Sequence, residues 1–210
     1  MLKILSKIQR NLSVVRKISH FLNKDTLIQL FHSLIASHIR YGITVWHHSH
    51  IAIRKKIPAC ANKFFRMIFS LRPRESVRNI MKDHNILSAN QMFHLEVSKQ
   101  MQNLALKDAP EAFSSIFQHE FRFYPINLRS ASSYIPAVSS TEKAKQCIRF
   151  SGPKIWNNLP IHIRKETVPT NEDRNSDQAH YFSKKRFVFN MKRHALTEID
   201  FVVEDLNSSG

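Results

Sequence analysis

The sequence predicts a mainly α protein: a helical bundle with an irregular extended middle segment and a C-terminal basic helix. Two observations support this. Glycine occupies three of 210 positions, whereas tight β-hairpins usually need glycine at positive φ. Apolar residues recur at steps of three or four in successive segments of residues 1–117, the period of an α-helix. The two cysteines provide no disulfide framework, which favours a reduced intracellular setting, cytoplasmic or nuclear.

The most regular stretch is 25–48, whose pattern predicts one helix with one buried face. The positions on that face are Leu27, Leu30, Phe31, Leu34, His38, Tyr41 and Val45. Asp25 stands where an N-cap belongs. Gly42 costs about 1 kcal/mol relative to alanine inside a helix, so it marks either a kink or a close approach of another backbone. Tyr41 and Trp46 are expected to be structural anchors.

Amphipathic patterns flank this stretch on both sides. Residues 2–22 place apolar side chains on one side of a helix and basic ones on another: Lys3, Lys7, Arg10 and Lys17. Residues 50–71 repeat the arrangement, with Pro58 expected to kink or restart the helix. The basic positions here and just beyond are Arg54, Lys55, Lys56, Lys63, Arg66, Arg72 and Arg74. The three patterns together predict a bundle.

The remaining chain predicts shorter and less regular elements. A capping box, Ser88 with Gln91, precedes a helix at about 89–107. Beyond it we expect short strands at 121–124 and 147–150, then a short helix starting at 151–153. Trp156 and Leu159 are its expected structural anchors. The predicted organisation is a helical bundle (1–117), an extended segment with the Trp-centred helix (118–165), a polar linker (166–178), a terminal helix (179–196) and an acidic tail (197–210).

The charge distribution is uneven. The formal net charge is +16, and residues 1–74 contain 14 Lys/Arg but a single acid, Asp25. Such a basic segment indicates a polyanionic partner, most often nucleic acid. The alternative is a solvated basic surface that keeps the chain soluble. No apolar run approaches the roughly 20 residues needed to span a bilayer, so no membrane partner is expected.

Several motifs recur in the order of a known family. They are L-x-x-L-F-H-S-L-I-x-x-H-I-x-Y-G-x-x-V-W (27–46), the basic-aromatic Lys63, Phe64, Arg66 and Ile68, Arg129-Ser130, Phe150 with Gly152–Pro160, and the basic helix Phe187–Leu196. In this order they resemble the region just after the polymerase palm in non-LTR (LINE-type, jockey-like) retrotransposon reverse transcriptases. The Trp-Asn-x-Leu-Pro segment is the most specific of them, and the likeness covers nearly the whole chain.

The resemblance implies a non-catalytic piece of an RNA-directed DNA polymerase. Two-metal phosphoryl transfer needs paired carboxylates, which in the family lie upstream in the palm. We therefore expect no polymerase activity, no metal and no cofactor. His47, His48 and His50 are a candidate metal cluster, but neighbouring helical residues diverge by about 100° and so cannot readily bind one ion. The three histidines instead indicate a polar helix end.

The same resemblance implies a thumb-like bundle that contacts RNA or DNA backbone non-specifically, and a palm domain as a further partner. The expected nucleic-acid-binding residues are Lys3, Lys7, Arg10, Lys17, Arg54, Lys55, Lys56, Lys63, Arg66, Arg72 and Arg74. Two alternatives stay open: a helical protein-interaction scaffold that docks on a palm domain or another partner, and a remnant without selected function. An open basic face on the first helix favours nucleic acid, whereas apolar neighbours on both faces favour docking.

Overall fold

The computed structural model describes residues 2–47, 51–106, 108–117, 134, 141, 147–166 and 177–197. The prediction of a mainly α protein is confirmed: most of these residues are helical, and none of them lies in a strand. Residues 1–93 and 94–210 form two compact units. Within the described ranges, no helix has both the length and the hydropathy to cross a bilayer.

The first unit contains six α-helices in its described part and the start of a seventh. They are α1 (Leu2–Ile18), α2 (Lys24–Leu30), a π-helical turn (Phe31–Ala36), α3 (Ser37–Arg40), α4 (Ile43–Trp46), α5 (Ile51–Ile68) and α6 (Arg78–Asp83). Helix α7 (Ala89–Ala105) runs through the boundary between the units. The described part of the second unit continues with α8 (Glu111–Ser114), a 3₁₀ turn (Ser115–Phe117), α9 (Ile148–Asn157), α10 (Ile161–Glu166) and α11 (Asp177–Thr197).

Helix α1 packs on α5, on the π-helical turn and on α3. Its buried positions follow the helical period and form one stripe: Leu5, Ile8, Leu12 and Val15. Asn11, beside this stripe, donates from Nδ2 to the Leu34 carbonyl oxygen at 2.7 Å. Phe31 brings the π-helical turn onto α5, with its ring centroid 4.6 Å from that of Phe65. These contacts form the core of the first unit.

The predicted single helix over 25–48 is divided, and its buried face shifts by one residue. The buried side chains are Leu27, Phe31, Ile35, Ala36, Ile39, Ile43 and Trp46. A π-helical turn closes i→i+5 hydrogen bonds, so it takes up more residues than an α-turn and rotates those that follow. Ile35 and Ile39 therefore occupy the core in place of Leu34 and His38. Tyr41, predicted on the core face, is 76% exposed.

The helix breaks at Tyr41 and Gly42. Tyr41 is extended, and Gly42 adopts the left-handed region with φ +62°. A Cβ at Gly42 would meet no atom within 4 Å, so this glycine makes a kink and not a close approach. A hydrogen bond spans the break: Trp46 Nε1 donates to the Ile39 carbonyl oxygen at 2.9 Å.

Two predicted features at helix ends have different outcomes. The N-cap of α2 is Asn23, whose Oδ1 accepts from the Thr26 N–H at 2.8 Å. The prediction that Asp25 is the N-cap is therefore wrong. Asp25 lies in the first turn, where its negative charge interacts favourably with the positive end of the helix dipole. The capping box is confirmed, since the Ser88 N–H donates to Gln91 Oε1 at 2.8 Å and the Gln91 N–H to Ser88 Oγ at 3.3 Å.

Prolines are tolerated inside two helices. Pro58 lies within α5, which is assigned continuously over 18 residues. Helix α9 begins at Ile148 and contains Pro153 in its interior. The predictions of a strand at 147–150 and of a helix start at 151–153 are thus wrong, because the preceding turn already has helical geometry. The predicted strand at 121–124 and Arg129-Ser130 lie outside the described residues.

An aromatic cluster forms the core of the second unit around Trp156. The Trp156 ring is stacked on Phe187 at 5.8 Å between centroids, and Tyr134 meets its edge at 6.0 Å. Gly152, one turn before Trp156, lets α7 come close: a Cβ there would lie 2.8 Å from Met101 Sδ. The cluster thus joins α7, α9, α11 and residue 134.

Candidate nucleic-acid interface

The basic side chains of α1 form one stripe on its outer side. At 100° per residue, Lys3, Lys7, Arg10 and Lys17 fall within about 80° of arc, on the side of the helix opposite its buried residues. All four are exposed. Lys3 and Lys17 lie about 21 Å apart along the axis. We call these four residues the α1 stripe.

Electrostatics at the α1 stripe are dominated by positive charge. Residues 2–24 contain no Asp or Glu. None of the four cations forms an ion pair with any residue in the described part of the chain. Because nearby carboxylates do not neutralise them, they leave a positive potential that attracts phosphate. Val14, 51% exposed, interrupts the stripe between Arg10 and Lys17.

Helix α5 carries a second basic surface. Lys55, Lys56 and Lys63 are exposed and lie opposite the buried side chains of that helix. The buried positions are Ile57, Ala61, Phe64, Phe65 and Ile68. We call these three lysines the α5 stripe. Since each stripe lies opposite the core that the two helices share, the stripes are separate surfaces.

The other basic residues predicted to bind nucleic acid have mixed positions. Arg66 is half-buried, and its Nε donates to the Glu75 carbonyl oxygen at 2.9 Å, which ties the end of α5 to the following loop. The backbone N–H of Arg72 donates to Glu75 Oε2 at 3.1 Å. Arg72 and Arg74 are exposed. The side chain of Arg54 lies outside the described residues.

Three of the four predicted structural anchors are buried. Trp46, Trp156 and Leu159 are each no more than 5% exposed. Tyr41 is not an anchor: the π-helical turn and the break at Gly42 rotate it to the surface. The Trp-Asn-x-Leu-Pro segment therefore contributes to the core, and Leu159 adds a backbone contact, since Arg164 Nε donates to its carbonyl oxygen at 3.0 Å.

Residues with catalytic or metal-binding chemistry are dispersed in the described part of the chain, where no group of three or more His, Cys, Asp or Glu could hold a metal ion. His47 is half-buried, and its ring is stacked on Phe93 at 3.8 Å. His48 and His50 lie outside the described residues. Burial raises the pKa of the Cys60 thiol, with Lys63 opposing it, which keeps the thiol protonated and unreactive.

Sequence reasoning missed a further basic site, a cleft between α10 and α11 of about 390 Å³. Its lining includes His162, Arg186, Asn190, Arg193, His194 and Thr197. Positions 186, 190, 193 and 197 follow one another at steps of three or four, and 194 lies four residues after 190, so all five share one side of α11. That spacing was readable in the sequence, but the packing of α10 against this side was not.

Comparison of the chain with models of known protein families, with curated proteins and with solved structures returns no match.

Proposed function

We propose that this chain acts as the non-catalytic, post-palm part of a retrotransposon RNA-directed DNA polymerase and contacts RNA or DNA backbone non-specifically through the α1 stripe. The observation that carries the proposal is the placement of four exposed cations opposite the core on one helix. Such a row can follow phosphates, and each contact that neutralises a phosphate releases counterions. Backbone contacts of this kind fix position without reading sequence.

The arrangement of α1 supports nucleic acid over docking. One side of the helix is covered by α5, the π-helical turn and α3, and the opposite side carries the α1 stripe. A docking helix would instead present apolar side chains on its second face. The resemblance of the sequence motifs to reverse transcriptases supports the polymerase part of the proposal, and the exposed cations of the α1 stripe support the contact with phosphates.

The test measures, by fluorescence anisotropy at low salt, how tightly the full chain binds duplex and single-stranded nucleic acid. K3Q/K7Q/R10Q/K17Q should weaken binding by at least about 10-fold, since it removes four phosphate contacts. The matched control is R78Q/K82Q/R149Q/K154Q, which removes the same charge from exposed positions outside both stripes. Equal losses in the two variants would show that net charge alone drives binding and would overturn the proposal.

A second candidate function, docking onto a protein partner such as a palm domain, is favoured by exposed apolar side chains of the first unit. Phe21 is 86% exposed, Tyr41 76% and Val45 78%. Exposed apolar surface of this kind promotes association. Sedimentation of the full chain and of F21S/Y41S/V45S tests it: docking predicts self-association that the variant abolishes. A chain that is monomeric at high concentration would count against it.

A further inference from the structure

The cleft between α10 and α11 has the chemistry of an anion site. Arg186 and Arg193 lie two turns apart, about 10 Å along the axis of α11, and both line the cleft. His162 faces them from α10, and none of the lining residues is acidic. A guanidinium presents paired N–H donors that match the oxygens of a phosphate. Asn190, between the arginines, supplies a neutral donor.

The size and openness of the cleft suit one segment of a polymeric ligand and not a buried small molecule. A volume of about 390 Å³ accommodates a phosphate with its sugar. Arg186, Arg193 and His162 are all exposed, so a longer ligand can pass across the site. Arg193 forms no ion pair with any residue in the described ranges, which leaves its charge available to an incoming anion.

An exposed aromatic ring lies on α11 next to two of the residues that line the cleft. Phe189 is 67% exposed on α11 and lies three residues from Arg186 and four from Arg193, so the three side chains are neighbours on the helix surface. Aromatic rings set among cations are the usual platform on which unpaired bases stack.

We propose that the cleft between α10 and α11 binds a phosphate group of a single-stranded nucleic acid, with the adjacent base stacked on Phe189. A duplex keeps its bases paired and stacked within the helix, so it cannot offer a base to Phe189. The site lies in the second unit and does not use the α1 stripe. Binding in the cleft therefore stands or falls separately from binding through α1.

The experiment uses the full chain carrying K3Q/K7Q/R10Q/K17Q, which removes any contribution of the α1 stripe. The probes are an oligouridylate of about 12 nucleotides, an abasic strand of the same length, inorganic phosphate, and vesicles of phosphatidylcholine and phosphatidylserine. R186Q/R193Q should weaken oligouridylate binding at least about 10-fold, because two charged phosphate donors are lost. K185Q/K192Q is the matched control on the same helix and should change it less than about 3-fold, since its lysines do not line the cleft.

Phe189→Ala separates stacking from charge. It should weaken oligouridylate binding at least about 5-fold, the lower range for one stacked base, and leave binding of the abasic strand unchanged. If R186Q/R193Q and K185Q/K192Q lose equal oligouridylate affinity, or if Phe189→Ala binds oligouridylate normally, the proposal is overturned. Phosphate binding that depends on Arg186 and Arg193 without any oligouridylate binding would assign the cleft to free phosphate. Stronger, Phe189-dependent binding to vesicles would assign it to a lipid surface; either result refutes a nucleic-acid site. Circular dichroism spectra and unfolding midpoints must match between variants.

Discussion

Asn157 forms hydrogen bonds with both backbone polar groups of Tyr134, a residue 23 positions earlier in the chain. Its Nδ2 donates to the Tyr134 carbonyl oxygen at 2.7 Å, and its Oδ1 accepts from the Tyr134 N–H at 3.0 Å. The Tyr134 hydroxyl in turn donates to the Met101 carbonyl oxygen at 3.0 Å. Tyr134 is buried, and burial raises the pKa of its hydroxyl, so it stays a donor at neutral pH. One side-chain amide thus holds residue 134 against the Trp156 cluster.

Replacing Asn157 should destabilise the second unit. Asn157→Ala leaves the Tyr134 N–H and carbonyl without their side-chain partner, which costs about 2–4 kcal/mol. Urea unfolding followed by Trp156 fluorescence in a W46F background measures this, because the chain has two tryptophans and Trp156 reports on the second unit. Asn158→Ala, at the exposed neighbouring position, is the control and should change stability by less than about 0.5 kcal/mol. A cost no larger than the control's would contradict the role of Asn157.

Gly42 and Gly152 should fail to accept alanine for different reasons. Gly42→Ala is strained by the left-handed backbone and should cost about 1–2 kcal/mol, while Gly42→Asn should cost less because asparagine tolerates that conformation. Gly152→Ala places its Cβ 2.8 Å from Met101 Sδ. Overpacking of this kind costs about 1–3 kcal/mol, offset by the roughly 1 kcal/mol that alanine gains over glycine inside a helix, and M101A should relieve the overpacking.

The relief is the decisive measurement for the two glycines. In urea unfolding, M101A should reduce the cost of Gly152→Ala and leave the cost of Gly42→Ala unchanged, since the open space at Gly42 involves no contact. Additive effects of M101A and Gly152→Ala would show that the two helices adjust around the new methyl group.

His94 should make the protein less stable in mild acid. Burial, with a smaller contribution from the charge of His194, lowers the pKa of His94 from 6.5 to about 4. Between these values the unfolded chain binds more protons than the folded one, so the free energy of unfolding falls as pH drops from 6.5 towards 4. The loss amounts to at most about 3 kcal/mol.

A urea-unfolding series from pH 7.5 to pH 4.5 checks the expected loss. His94→Gln should flatten the dependence, and His20→Gln, at an exposed position of the first unit, should not. If His94→Gln retains the full slope, another group is responsible for the acid sensitivity.

The salt dependence of duplex binding should count the phosphate contacts made by each stripe. Each contact contributes about 0.9 to the slope of log affinity against log salt. Removing the α1 stripe should therefore lower the slope by about 3.6, and K55Q/K56Q/K63Q should lower it by up to about 2.7 if the α5 stripe also touches the duplex. Anisotropy titrations over a range of KCl concentrations give both values. A slope unchanged by the α1 variant would mean that the α1 stripe does not meet phosphate.

Local patterns were sufficient for the helical class, for the buried and basic sides of α1 and for the capping box at Ser88. Each depends on interactions within one or two turns: the helical period, the scarcity of glycine, and a side chain that reaches the nearest exposed N–H. The same rules misplaced the N-cap of α2, because Asn23 and Asp25 are both competent caps and the choice depends on where the chain leaves α1.

The sequence by itself determined the mainly α class and which side of α1 is charged, because both follow from the spacing of residues along a helix. Tertiary structure alone decided the rest. The π-helical turn moved the buried face from Leu34 to Ile35 and left Tyr41 exposed, since packing against α1 and α5 selects the register. The pairing of Asn157 with Tyr134, and the meeting of His162 with Arg186 and Arg193 in one cleft, join positions more than 20 residues apart. No periodicity encodes such contacts, because they depend on how the helices of each unit pack in space.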